Sequence, residues 1–309
     1  MATYAQGIRS QLLEKAQTAF GTAATGNYVK TKFVSHSLDY KTDTIKSATI
    51  RSDREVSDFR HTTRHAEGDV VVELAYTDFD DFIQSALFGA WATNVITIGT
   101  TPTYLSLEDG ALDVSRYRLY RDMLVSKWNF KMAPGQIVQS TFSLLGTTMT
   151  GSGTTSGGTP TGPGTNQPFD TLTGSIYDDA AQSGTALAMI TGVDFTLDNG
   201  AKANYTLGNR SAQVIEYGMG DVSGQVTMFL DQSISATWLS RYVNETEFGL
   251  SFSLTDPAGH GLEFQMARVK LSGNSAPVQN PQSRIVTLPF QAIKPTSGSP
   301  SSALQVTRF

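Results

Sequence analysis

His61 and His65 stand four residues apart in His61-Thr-Thr-Arg-His65. On a helix that spacing turns two imidazoles toward one ion, as in zinc enzymes. A zinc-protease helix also sets a Glu beside its first His as general base, and here that neighbour is Thr62. The stretch precedes a strand-like run and does not lie in a convincing helix. Asp58 and Glu67 are acids that could be recruited as further ligands, but the plainer reading is an exposed loop of mixed charge. Two carboxylate pairs, Asp80/Asp81 and Asp178/Asp179, invite a general acid–base reading. Neighbours on a helix point about 100° apart, so Asp80 and Asp81 share no site by adjacency. They are expected on a solvated face, favouring the helix N-terminus. Glycoside hydrolysis needs two carboxylates converging across a cleft, and nothing in the spacing points to one. Neither a Gly-x-Ser-x-Gly elbow nor a phosphate loop ending in Gly-Lys-Ser/Thr is present. The glycines between Gly151 and Gly164 open no helix and carry no Lys. Cys is absent, which removes thiolate nucleophiles, thiolate metal sites, iron–sulfur clusters and disulfides together. The expectation is no catalytic residue, no metal site, no cofactor and no enzyme.

The 309 residues suggest two domains, since domains of roughly 100–150 residues are commonest. Charged residues are 17% of the chain, below the usual quarter or so. Thr, Ser, Gly and aromatics fill the difference, which suits β-structure. The net charge is −5, with no basic block of the kind that grips phosphates. The N-terminal stretch is polar, so no signal peptide is expected. No apolar run approaches the 18 or so residues of a membrane helix. The sequons at Asn204, Asn209 and Asn244 are read as chance.

What must position the chemistry is a two-part chain. Residues 146–169 are rich in Gly, Thr, Ser and Pro, poor in charge and short of side chains to bury, and are read as a linker or exposed loop. The same features recur in order on either side. Gly68–Leu74 reads as a strand and Asp78–Phe88 as a helix, with Phe79, Phe82, Ile83 and Leu87 on one face. Thr77 or Asp78 is the expected N-cap and Gly89 the stop. A hairpin turning at Ala133–Gln136 closes the first part. In the second part Gly224–Leu230 parallels the strand, Ser233–Val243 the helix and Ile285–Ile293 the closing strand. Over Asp53–Leu87 against Asn209–Val243, four of 35 positions are identical, among them Gly68/Gly224. Identity that low is weak support, so the matched order of elements carries the repeat. The expected domains are 1–145 and 170–294, with a tail at 295–309. Phe79, Phe82, Ile83, Leu87, Trp238, Leu239 and Val243 are the expected helix contributions to the core.

Arg51–Glu67 interleaves Arg51, Arg54, Arg60 and Arg64 with Asp53, Glu55, Asp58 and Glu67. It offers few large apolar residues. It reads as a solvated loop or as a protruding arm whose mixed charges pair with a neighbouring subunit.

At this point the ordered set SLDYKTDTIKSATIRSDREVSDFRHTTRHAEGDVVVEL, DFDDFIQSALFGAW, SKWNFKMAPGQIVQSTFSLLG, FTLDNGAKANYTLG and SRIVTLPFQAI resembles the major tail tube proteins of long, non-contractile-tailed bacteriophages. The likeness covers nearly the whole chain apart from the Gly/Thr/Pro segment and the last 15 or so residues. It implies a mainly β fold: β-sandwich or barrel-like domains, each flanked by one helix, here duplicated in tandem. It implies a structural virion protein whose stacked rings form a tube through which DNA is ejected without specific binding. Three such chains would place six domains in a ring. Tape measure, tail terminator and distal tail proteins are the implied partners, no membrane is involved, and the site is the virion tail after synthesis in the bacterial host cytoplasm. In that family the corresponding long loop lies where one ring meets the next. That makes Arg51, Arg54, Asp58, Arg60, Arg64 and Glu67 the candidate inter-ring contacts. A β-rich adhesion module and a hydrolase with scattered acids are the other classes, predicting binding loops and a cleft respectively.

Overall fold

The computed structural model describes residues 4–309 except 51, 54, 184, 185 and 279–282, with the backbone alone for 232–235. The N-terminal half runs β1 (Ser10–Ala16), β2 (Val29–Thr31), β3 (Ser35–His36), β4 (Asp39–Lys46), β5 (Phe59–Glu73), α1 (Asp80–Leu87), β6 (Val95–Thr97), β7 (Leu105–Ala111), β8 (Arg116–Met132), β9 (Gln139–Gly146) and β10 (Thr148–Ser152). The C-terminal half runs β11 (Ser175–Tyr177), β12 (Ile190–Asp198), β13 (Lys202–Asn204), β14 (Val214–Glu216), β15 (Asp221–Phe229), α2 (Gln232–Val243), β16 (Phe248–Thr255), β17 (Gly261–Leu271), β18 (Ile285–Ala292) and β19 (Gln305–Arg308). Strand is 48% of the chain and helix 6%, so the fold is mainly β.

The antiparallel ladders follow one order twice. In the first half β4 pairs with β5, β5 with β9, β9 with β8 and β8 with β7. In the second β12 pairs with β15, β15 with β18, β18 with β17 and β17 with β16. The glycines aligned in sequence occupy matching places. A Cβ on Gly68 would lie 2.6 Å from the Leu38 Cα, and one on Gly224 would lie 2.9 Å from the Phe195 Cα. Only glycine lets the crossing backbone come that close.

Strand β8 joins the halves. Its first residues lie between β7 and β10. From Leu124 it pairs with β9, and from Lys127 to Met132 its other edge takes β12. Its inward side chains Trp128 and Phe130 are buried among aromatics from both halves. Phe130 lies 5.1 Å from Phe195, 5.3 Å from Phe252 and 4.9 Å from Phe264, ring centre to ring centre. Trp128 lies 5.7 Å from Phe142 and 5.3 Å from Phe195. Each such pair adds about 0.5–1.5 kcal/mol beyond area burial. One continuous core therefore spans the chain.

Two expectations change, the caps of α1 and the burial of Leu239 and Val243. The N-cap of α1 is Phe79, not Thr77 or Asp78, and its C-cap is Phe88 in a left-handed conformation. Asp78 is held away from capping by Lys32, 2.7 Å from its carboxylate. Phe79, Phe82, Ile83, Leu87 and Trp238 are buried, but Leu239 is 49% and Val243 68% exposed. Helix α2 rests on the body through Trp238, edge-on to Phe248 at 5.0 Å, and turns Leu239, Tyr242 and Val243 outward. The segment after Gly146 is docked on the first half by main-chain bonds. Strand β10 lies on β8, Tyr28 N–H donates to the Gly157 carbonyl, and Lys30 N–H donates to Thr161. Buried Glu108 accepts from Thr155 Oγ1 and Ser156 N. The tail is also structured: β19 pairs with β17 on one edge and β6 on the other, strapping the halves together. Arg308 there pairs with Asp80 at 2.5 Å and stacks 4.0 Å over Trp91.

Because Phe130 touches both halves, Phe130→Ala is expected to cost about 3–5 kcal/mol and to shift a single unfolding transition. Denaturant melts read by circular dichroism and by hydrogen exchange in each half would check this. Two separate transitions would contradict a shared core.

Candidate functional site

The sequence-picked residues do not assemble a reaction centre. His61 and His65 both lie on β5, where a four-residue separation spans about 13 Å. His65 Nδ1 shares a hydrogen bond with the Tyr205 hydroxyl at 2.9 Å, and Nε2 meets Glu67 at 3.2 Å. Among the described residues no group of three His, Asp or Glu could hold a metal ion. The stretch from Arg51 to Glu67, expected as a solvated loop or a protruding arm, becomes strand at Phe59, so Arg60, Arg64 and Glu67 sit on a β4·β5 hairpin arm. Thr and His alternating with charge pair well across two strands even without a core beneath them. Arg60 Nε donates to Asp58 at 2.5 Å. Arg51 and Arg54 lie outside the described residues.

The feature with consequences is backbone. An unpaired strand edge presents a row of N–H and C=O groups that templates another strand. Inside the chain one such edge is already filled. Lys127–Met132 of β8 takes Asp198–Val193 of β12, reinforced by Lys127 to Asp198 at 2.9 Å and Thr196 Oγ1 donating to Asn129 at 2.8 Å. Asn199 follows, buried, its main-chain N–H donating to the Ser126 carbonyl. Its side-chain amide donates to the carbonyls of Ala86 at 2.8 Å and Val125 at 3.0 Å.

The matching edges elsewhere carry no strand among the described residues, though the Leu38 carbonyl accepts from the Tyr120 hydroxyl at 3.1 Å. In ladder position Ser35–Lys41 corresponds to the start of this β12 junction, and β3 and β4 pair only with β5. On β8, β7 ends at Met123 and β12 takes over from Lys127. On β17, β16 ends at Val269, and beyond it that edge is open. Each chain thus carries one open edge of each kind.

The joined sheet buries one face and leaves the other polar. Across β4, β5, β9, β8, β12, β15 and β18 the outward positions alternate with the core. They carry Ser, Thr, Asn and Gln with Asp39, Glu67, Asp69, Glu73, Asp194, Asp198 and Asp221 against Lys41, Lys127 and Lys131. That is seven acids against three lysines over the body of the sheet, and Asp43 and Lys46 further out on β4 add one charge of each sign. No sequence signal located these acids before the ladders did.

Asp80 and Asp81 are not on a solvated face. The start of α1 lies against β1, whose Glu14 is buried with one carboxylate oxygen unpartnered. Burial pushes Asp80 up to about 6, against the opposing pull of Arg308. Burial also raises Asp81, and burial with the charges of Asp81, Asp78 and Asp80 raises Glu14 well above the carboxylate range. The cluster is a local cost of packing β1 onto the helix, and it borders an open cavity of about 280 Å³ lined by Glu14, Lys30, Lys32, Asp78, Asp80 and Asp81.

Two strand edges without a neighbouring strand, one internally filled junction and a polar face are what the described residues present. Residues 7–292 match the family model described as phage tail tube protein, and the chain belongs to that family. It is thus a phage tail tube structural protein, located in the virion tail. No curated protein matches it. A solved structure described as "Structure of a type six secretion system protein" is similar at 16% identity with a TM-score of 0.27, over 38% of this chain and 78% of that one. No helix among the described residues is long and apolar enough to cross a membrane.

Glu14→Gln removes the most buried unpartnered charge and keeps its shape. A carboxyl raised in the folded state stabilises below its unfolded value, and that contribution is lost as pH rises through the folded value. The variant should therefore melt above wild type at pH 7–8, by roughly 1.5 °C for each kcal/mol relieved, and the gain should vanish toward pH 4. Thermal melts across that range check it; an equal shift at all pH values would contradict it.

Proposed function

We propose that this chain is a duplicated tube unit and that three chains close a ring of six units, which stacks into the tail tube. The single observation that carries this is the β8·β12 ladder with its two unfilled counterparts. Joining the edge at Ser35–Lys41 of one chain to the edge beyond Val269 of the next repeats that ladder, and a head-to-tail contact that closes leaves no edge. The two units are 1–145 and 170–294, with 146–169 between them and 295–309 as the strap. The polar face lines the lumen. Its excess of acids and its thin supply of Lys give DNA phosphates little to bind during ejection. The charges on and between the arm strands, Arg51, Arg54, Asp58, Arg60 and Arg64, face the adjacent ring, while Glu67 at the arm's base shares the lumen face with Asp39 and Asp69. A long non-contractile tail, a tape measure protein in the lumen and terminator and distal tail proteins at the ends are the setting that the family implies.

Thr42→Pro tests the ring. Thr42 matches Asn199, whose N–H donates across the internal junction, and Pro removes that donor on an open edge. Circular dichroism should stay like wild type while rings and tubes disappear from negative-stain fields. Wild-type tubes from the variant, or a wild-type protein that stays as single 33.3 kDa chains, would contradict it.

A further inference from the structure

The two halves differ in what their helices and arms leave uncovered. Counting from Gly68 and Gly224 sets Ile83 against Leu239, Ala86 against Tyr242 and Leu87 against Val243. Ile83, Ala86 and Leu87 are buried, while Leu239, Tyr242 and Val243 are 49%, 39% and 68% exposed. Part of the cover on α1 comes from the other half. The β13·β14 arm brings Ile215 against Phe88 and Leu124, and the Tyr217 ring stands edge-on to Phe88 at 4.8 Å. The Asn199 amide reaches the Ala86 carbonyl. At the arm's turn Arg64 N–H donates to the Arg210 carbonyl at 2.7 Å, and Ala212 N–H donates back to Arg64 at 3.1 Å.

The β4·β5 arm is built to the same register. Its pairs Ile45↔Arg60 and Lys46↔Phe59 stand where Lys202↔Glu216 and Ala203↔Ile215 stand. By the same count Phe59 matches Ile215, His61 matches Tyr217 and Val56 matches Ala212. Ile215 and Ala212 are buried on the first half, but Phe59 is 52% and Val56 64% exposed. An exposed apolar arm and an exposed apolar helix end are thus the two unfilled sides of a contact the chain already makes once with itself.

We propose that the β4·β5 arm of one chain clasps the α2 end of a second copy, repeating the contact of the β13·β14 arm with α1. This rests on the ring reading and adds to the edge ladder a second contact, in which Phe59 and His61 cover the turn after Val243. The arm's loop, with Val56, lies beside Gly220, which matches Arg64 and neighbours the exposed Met219. Repeated around the ring, six arms form a collar, each seated on the base of the next.

The chain has no Cys, so an engineered pair reports only this contact. His61→Cys with Asn244→Cys copies the Tyr217–Phe88 approach. Mild oxidation of the assembled double variant should give reducible covalent trimers, at least tenfold above either single variant on a non-reducing gel. Phe59→Asp should fold and melt like wild type, since the side chain is half exposed, yet give at least tenfold fewer rings. Rings that form with no covalent product, or Phe59→Asp rings in wild-type yield, would overturn the clasp and leave the ring reading standing. A wild-type protein that forms no rings would overturn both.

Discussion

A strand edge cannot be left in water and in reach of its own kind without consequence, and the 17 residues of Arg116–Met132 are organised by that constraint. The first part of the strand is paired on both sides within its own half. The second part outruns β7, and the edge exposed there is filled by β12 from the other half. Trp128 and Phe130 project beneath that junction, so the ladder and the aromatic cluster form together. Separating the halves would bare a backbone edge and an aromatic face at once. Asn199 adds a buried amide whose two acceptors lie on the first half, and leaving such groups unpaired costs about 1–3 kcal/mol. The halves are consequently one folded body, although each follows its own complete order of ladders.

Much of this was legible where one element buries one face. The helix at Asp80–Leu87 showed its stripe, and the turn after Met132 showed its Pro-Gly. The aligned Gly68 and Gly224 stood out only as an identity, and the close backbone approach that requires glycine at each emerges from the fold. A protruding arm was one of the two readings of Arg51–Glu67, but its strand from Phe59 was not legible, because a two-stranded ribbon without a core has no apolar alternation. Exposure on α2 was hidden for the opposite reason. Periodicity reports that Leu239 and Val243 share a face with Trp238 but not whether anything lies over that face. The segment after Gly146 and the strap at Gln305–Arg308 are held by main-chain bonds to residues far away in sequence, such as Tyr28 and Asn94. Side-chain composition carries no record of such bonds.

The acids could be counted but not placed until the ladders assigned faces. Once placed, their effect depends on what surrounds them. Of the three outward lysines over the body of the sheet, Lys127 is neutralised by Asp198 at 2.9 Å and Lys41 approaches Asp39 at 3.6 Å. The rest of that face is largely Ser, Thr, Asn and Gln, which form hydrogen bonds to water without attracting phosphate. Screening over roughly 8 Å at physiological salt limits repulsion between neighbouring acids. The face can therefore hold an excess of carboxylates without opening the sheet, which fits the low charged fraction of the whole chain. The raised carboxyls at the start of α1 are a separate matter: they come from burial on the other side of the fold and add nothing to the outward face.

Placing both units in one chain also changes the energetics of the proposed ring. Bringing two free bodies together costs an estimated 4–15 kcal/mol in lost translation and rotation. With six separate units every junction is formed between molecules. With three chains, half of the junctions are intramolecular and hold at any concentration, because the tether supplies the effective concentration. Fusion also frees the copies to differ. Among the described residues the first half alone has β6 between its helix and the next strand, and β19 ties that strand to β17 of the second half. That strap covers the α1 side of the internal junction and has no counterpart beside α2. The junction made once and kept is thus the one reinforced by the tail, and the junction made on assembly is left with an open helix end and an unseated arm.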